Sequence, residues 1–110
     1  MEKFHCEAAK CAHLQIPDDV IATDLADFLK IFGDYTRIRL LFAIKESELC
    51  VHDLSLILNM RQPAVSHQLK ILRHYKLVKV RREGRKSFYS LDDSHILGIL
   101  EIGLSHITHS

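Results

Sequence analysis

The chain of 110 residues is poor in long apolar runs, glycine, proline and cysteine. Its longest uncharged apolar stretch, Leu40 to Ile44, is five residues, and about 20 are needed to cross a bilayer. A membrane span is excluded. Met1-Glu2-Lys3-Phe4-His5-Cys6 has no apolar core of the kind a secretion signal carries, so the expected location is the cytoplasm. The three cysteines then read as thiols or metal ligands rather than a disulfide frame. With four glycines there is no Gly-rich loop to cradle phosphate and no nucleophile elbow, which makes an enzyme the least expected class. The two prolines mark element boundaries, not a linker. What is present is an apolar fraction of 47%, enough for a core. So short a chain buries only about two-thirds of its unfolded surface, and pairing with a second copy adds stability.

Charge is strongly segregated. Residues 1–60 hold six Lys/Arg and ten Asp/Glu; residues 61–90 hold nine basic residues against Glu83 alone; the last twenty hold three acids and no base. A basic block inside a chain of net charge +1 is a footprint suited to phosphates, although a solvated face has the same composition.

Residues 1–16 show no clear period and read as a tail, a possible metal-ligand arm carrying His5, Cys6, Cys11 and His13. Residues 17–110 read as one domain. Pro17-Asp18-Asp19 opens a helix with acids in its first turn, where the helix dipole favours them. Ile21, Leu25, Phe28, Leu29 and Phe32 keep helical spacing, and Gly33 ends the helix. Asp34 caps a second helix, Tyr35 to about Lys45, with Ile38, Leu41 and Phe42 inward. A short third helix covers about Val51 to Leu58, with Leu54, Ile57 and Leu58 on one face. Pro63 starts a fourth helix, which runs to about Tyr75. At 100° per residue, Val65, Leu69 and Leu72 fall within about 40° of one another, while Pro63, Ser66, His67, Lys70 and His74 face away. Leu77–Arg82 and Lys86–Leu91 are β-rich and joined by Glu83-Gly84-Arg85, a hairpin. Asp92-Asp93 caps a last helix to about His109.

Two short helices with a tight turn, the second polar outward and followed by a basic hairpin, describe a winged helix-turn-helix, mainly α with a β-hairpin wing. The outer helix has the width to enter a major groove, and its N-terminal residues reach base edges first. Gln62, Ser66, His67 and Gln68 suit base edges, Lys70 and Arg73 suit phosphates, and Arg81, Arg82, Arg85 and Lys86 lie on the hairpin, where they can grip backbone or a minor groove.

The last helix is apolar on nearly all sides: Ile96, Leu97, Ile99, Leu100, Ile102, Leu104 and Ile107. Such a helix is buried, which in a small protein points to a subunit interface. Gly98 and Gly103 each cost about 1 kcal/mol relative to Ala, compensated by close approach of a partner helix. Asp93, His95, His106 and His109 share this helix. From His95 to His106 the rise is about 16.5 Å, against metal–ligand distances of about 2 Å, so one helix cannot close a site. Two antiparallel copies can, with Asp93 and His95 of one meeting His106 and His109 of the other, twice per dimer. Three imidazoles and a carboxylate suit Zn2+ or Co2+; a C-terminal dipole and a plain cap account for the same residues without a metal. A second cluster joins Cys50 and His52, at the start of the third helix, to Cys6 and Cys11 of the tail, a donor set for zinc, Cd2+ or Pb2+. A small buried Cys50 and a mobile tail are the alternative.

With these residues in view the chain resembles the ArsR/SmtB family of bacterial winged-helix metal-sensing repressors, over roughly residues 20 to 109. The likeness rests on Gly33-Asp34-Tyr35-Thr36-Arg37-Ile38-Arg39-Leu40-Leu41, Glu48-Leu49-Cys50-Val51-His52-Asp53-Leu54, Gln62-Pro63-Ala64-Val65-Ser66-His67-Gln68-Leu69-Lys70, Arg82-Glu83-Gly84-Arg85-Lys86 and Tyr89-Ser90-Leu91-Asp92-Asp93-Ser94-His95. The resemblance implies a homodimer joined through its first and last helices. Its partner is double-stranded operator DNA bearing an inverted repeat, with neither a membrane nor a small organic substrate involved. The family's Asp-x-His and His-x-x-His ligand set falls on Asp93, His95, His106 and His109. Its second site usually shows Cys-x-Cys where this chain has Cys50-x-His52, against a four-thiolate cadmium or lead site. Metal binding is then expected to release DNA and derepress metal efflux or sequestration genes. A thiol-redox repressor using Cys6, Cys11 and Cys50, a cadmium/lead-type sensor, and a zinc-buffering dimer without an operator are the other readings.

Overall fold

The computed structural model describes residues 3–109, which divide into two compact units, one ending at Ile31 and the other beginning at Phe32. In the first unit, Glu7–Gln15 form a helix, α1, that the apolar period does not signal. Its sequence, Glu-Ala-Ala-Lys-Cys-Ala-His-Leu-Gln, is rich in residues of high helix propensity, and none of it is buried. Propensity, not amphipathicity, forms this helix. The following helix, α2 (Asp19–Phe32), starts where expected: Asp18 Oδ1 accepts from the Ile21 amide at 2.9 Å. Its apolar face is divided: Ile21, Leu25 and Leu29 are exposed, Phe28 is half-buried and Phe32 is buried.

In the second unit, Asp34 caps α3 (Tyr35–Ala43), accepting from the Arg37 amide at 3.0 Å. After a turn come β1 (Leu49–Cys50) and α4 (Val51–Leu58), then α5 (Gln62–His74), β2 (Val78–Glu83), β3 (Lys86–Leu91) and α6 (Ser94–Thr108). Helices α4 and α5 end alike. Asn59 and Lys76 take left-handed conformations at φ 53° and 62°, and the next amides, of Met60 and Leu77, reach back to Ser55 O at 3.0 Å and Leu72 O at 2.9 Å. This 6→1 closure satisfies carbonyls that a helix end leaves open.

The hairpin is one part of a three-stranded antiparallel sheet of order β1-β3-β2. Leu49 pairs with Tyr89 and Cys50 with Phe88; a two-residue strand has too few positions to show an alternating pattern. Glu83 opposes Lys86, leaving Gly84-Arg85 as a two-residue turn. Gly84 sits at φ +60°, as the first position of a II′ hairpin turn requires. Leu40, Leu41, Leu54, Val65, Leu69 and Leu72 form the centre of the core, each almost fully buried. On α4 the inward face is Leu54, Ser55 and Leu58, whereas Ile57 points to solvent. Ser55 is tolerated inside because its Oγ donates to His52 O at 2.6 Å.

Candidate functional site

Helix α5 has two faces. Val65, Leu69 and Leu72 anchor it, while Gln62, Ser66, His67, Lys70 and Arg73 are exposed. No acid lies in its first turn, and Arg73 and His74 occupy its last. Gln68 differs from the other polar residues of this face. It is half-buried, and its Oε1 accepts from Arg37 Nε of α3 at 3.0 Å. That nitrogen only donates, so the amide oxygen, and not the NH2 group, is the atom that meets α3. Arg37, which the sequence reading passed over, thus stands beside the polar face of α5. On the same helix, Arg39 Nη1 donates to Leu58 O at the end of α4, at 3.3 Å. The two arginines of α3 tie down both helices of the turn.

The hairpin arginines divide into two kinds. Arg85 and Lys86 are exposed and make no ion pair among the described residues. Arg82 Nη1 donates to Ser87 Oγ at 2.9 Å. Arg81 is occupied: its Nε donates to both Glu48 oxygens at 2.9 and 3.1 Å, its Nη2 to Glu48 Oε1 at 2.6 Å, and its Nη1 to Glu83 Oε2 at 2.7 Å. The hydrogen bonds that Arg81 donates to Glu48 and then to Glu83 raise the guanidinium pKa above its ordinary value, and the one it donates to Glu48 lowers that carboxyl's. Neither Arg37–Gln68 nor Glu48–Arg81 leaves a sequence signal, because the partners are 31 and 33 residues apart.

Of the second metal cluster, Cys50 and His52 lie at the start of α4, Cys50 as its N-cap. They line a cleft of about 430 Å³ together with Gln62 of α5 and Arg85 and Lys86 of the hairpin. Across it, Gln62 Nε2 is 3.3 Å from His52 Nδ1. Cys6 and Cys11 belong to the first unit, exposed on the N-terminal side and within α1.

Helix α6 carries the first cluster at its two ends. Asp93 is the N-cap: its Oδ1 accepts from the His95 and Ile96 amides at 2.8 and 3.4 Å and lies 3.3 Å from His95 Nδ1. Oδ2 has none of these bonds. Desolvation raises the Asp93 pKa, but the hydrogen bonds from the His95 side chain and the two amides outweigh it and leave the carboxyl below its ordinary value. With Nδ1 turned to the carboxylate, His95 keeps Nε2 clear of that contact, and Asp93 and His95 stand together as a donor pair. His106 lies in the last turn, and His109 is the C-cap. Among the described residues no group of three or more His, Cys, Asp or Glu side chains is placed to hold a metal ion, as the rise between the two pairs dictates for one helix. The helix is not buried all round, however. Ile96 and Leu100 are inside, but Ile102 and Ile107 are 74% and 77% exposed. Phe32, Ile38, Phe42, Ile99, Leu104 and Ile107 line an open apolar groove of about 380 Å³ along it. The donor chemistry fits zinc or cobalt, given a second helix.

No helix among the described residues is long and apolar enough to cross a membrane. Residues 34–80 match the family model for bacterial regulatory proteins of the arsR family. The chain is 39% identical over 100 residues to a transcriptional repressor SmtB homolog of Synechocystis sp., covering 87% of this chain and 76% of that one. It is 34% identical over 84 residues to the cadmium resistance transcriptional regulatory protein CadC homolog of Staphylococcus aureus, covering 76% and 69%. The solution structure of apo-NmtR superimposes with a TM-score of 0.76 at 35% identity, over 86% of this chain and 80% of that one.

Proposed function

The chain belongs to the arsR family of bacterial regulatory proteins, and from that premise we propose that it is a cytoplasmic, homodimeric, metal-responsive transcriptional repressor whose metal-free dimer holds an inverted repeat and lets it go when a divalent cation binds. Helix α6 carries the proposal, with a ligand pair at each end and an open apolar face between them. An antiparallel second copy covers that face and brings Asp93 and His95 to His106 and His109. The cation, zinc first and cobalt next, supplies a cross-link between subunits. Cadmium, in the name of one relative, directs attention to Cys6, Cys11, Cys50 and His52. The cleft that joins Cys50 and His52 to Gln62 favours a regulatory second site for a softer ion.

On DNA, Gln62, Ser66 and His67 read base edges, and Lys70, Arg73, Arg82, Arg85 and Lys86 hold phosphates, the half-sites being about 34–36 Å apart. The path from α6 to this surface is short. Asp93 follows β3 by two residues, and the Asp92 amide donates to Leu77 O at 2.9 Å, while the Leu77 amide closes the end of α5. Displacement of Asp93 therefore acts on both the wing and the recognition helix.

An anaerobic cobalt titration of the reduced protein, paired with selection from a random duplex library, tests this. Tetrahedral visible bands without thiolate charge transfer, and an inverted repeat recovered only without metal, are expected. Strong near-ultraviolet thiolate bands at the first equivalent move the sensing site to the cysteines. A library with no enriched repeat overturns the repressor reading.

A further inference from the structure

Arg81 sits in β2 opposite Phe88 of β3, which is in turn opposite Cys50 of β1. Residues directly opposite one another project from the same face of a sheet. The Arg81 guanidinium carbon lies 4.9 Å from the centroid of the Phe88 ring. From there its nitrogens reach Glu48, the residue before β1, in a two-pronged contact. The side chain thus spans the middle strand and joins the two outer ones. Glu83 closes the remaining side at 2.7 Å. Two carboxylates around one guanidinium engage all three of its nitrogens and offset its charge, leaving it little with which to attract a phosphate. Arg85 and Lys86, on the same hairpin, have no carboxylate partner among the described residues.

We infer that Arg81 is a positioning residue: with Glu48 it straps the wing to β1 and so, through Cys50 at the N-cap of α4, to the helix-turn-helix, and it is not one of the phosphate ligands. The inference rests on the DNA-binding reading above. It assigns the net positive grip of the wing to Arg82, Arg85 and Lys86, and makes an acidic residue, Glu48, necessary for tight binding to a polyanion. Because the Glu48 carboxyl is held below its ordinary pKa by Arg81, the strap is complete above the ordinary carboxylate value and is lost only as pH falls through the lowered one.

The test is fluorescence anisotropy of a labelled mixed-sequence DNA duplex over a salt series, with the full-length protein and its Glu48→Gln, Arg81→Gln and Arg85→Gln variants. Loss of a phosphate contact lowers the slope of log K against log salt by about one, and this is expected for Arg85→Gln. Glu48→Gln and Arg81→Gln should each weaken binding several-fold with the slope unchanged, and a variant carrying both Glu48→Gln and Arg81→Gln should bind no worse than Arg81→Gln alone. Tighter binding by Glu48→Gln, or a slope reduced by about one in Arg81→Gln, overturns the inference. Amide hydrogen exchange at Leu49, Cys50 and Phe88 gives a readout without DNA: both single variants should exchange faster there, and unchanged rates overturn the strap. If the unaltered protein binds no duplex while exchange responds as expected, the DNA-binding reading fails and the strap alone stands.

Discussion

Helices α5 and α6 are of similar length and lie in the same compact unit, yet they are completed differently. Helix α5 has its whole apolar stripe, Val65, Leu69 and Leu72, within the core of its own chain, and its other face is polar. Helix α6 buries only Ile96 and Leu100 and leaves Ile102, Leu104 and Ile107 open. On the proposed function, a single chain builds the nucleic-acid reader outright but only half of the sensor. On the function proposed above, a ligand whose donors sit on the incomplete helix would report on how two copies meet, and the Asp92–Leu77 hydrogen bond would carry that arrangement to the completed one.

The contrast is broken most severely from the α5 side. Leu69→Ala should lower the unfolding free energy by about 2–5 kcal/mol, because it removes a fully buried side chain and leaves a cavity; urea denaturation with and without metal checks it, and metal should restore little of the loss. On α6, His106→Ala is expected to leave metal-free DNA affinity and thermal stability near those of the unaltered protein. It should abolish a metal-driven release of about 5–150-fold, as read by anisotropy with and without zinc. Loss of metal-free binding in that variant would make α6 a dimer brace and not a sensor.

Gly103→Ala sharpens the comparison with a sign. Within one chain an added Cβ meets nothing within 4 Å, so helix propensity alone predicts a gain of about 1 kcal/mol. If a partner helix packs there, sedimentation should instead show a weakened dimer. The smallest effect is expected at Lys76, which closes α5 in a left-handed conformation that strains any residue with a Cβ. Lys76→Gly should raise the melting temperature slightly, a gain of about 1 kcal/mol or less, without changing subunit association.

Much of this architecture is legible in the residues. Asp18 and Asp34 start their helices as capping chemistry requires, and Gly84 makes the turn that a two-residue hairpin needs. The inward face of α5 follows from a period of 3.6, and its start from Pro63. Three features escaped that reading. Helix α1 forms by propensity, without an apolar stripe; β1 is two residues long; and Ser55 takes the inward place that Ile57 was expected to fill, because a hydroxyl satisfied by His52 O is no burden inside. Pro63, Ser66, His67, Lys70 and His74 of α5 face outward as their spacing implies, whereas Gln68, which suits a base edge by its chemistry, is half-buried and engaged by Arg37.

The sequence by itself determined what depends on near neighbours: where helices begin and end, which faces are apolar, the basic block between residues 61 and 90, and the impossibility of closing four ligands along one helix. Only the tertiary structure decided which arginines are spent within the fold and which remain for a polyanion. Arg81, Arg82 and Arg85 are alike in sequence, but one is held between Glu48 and Glu83. A side chain's partner is set by which distant segments the core brings together, and spacing along the chain does not encode that.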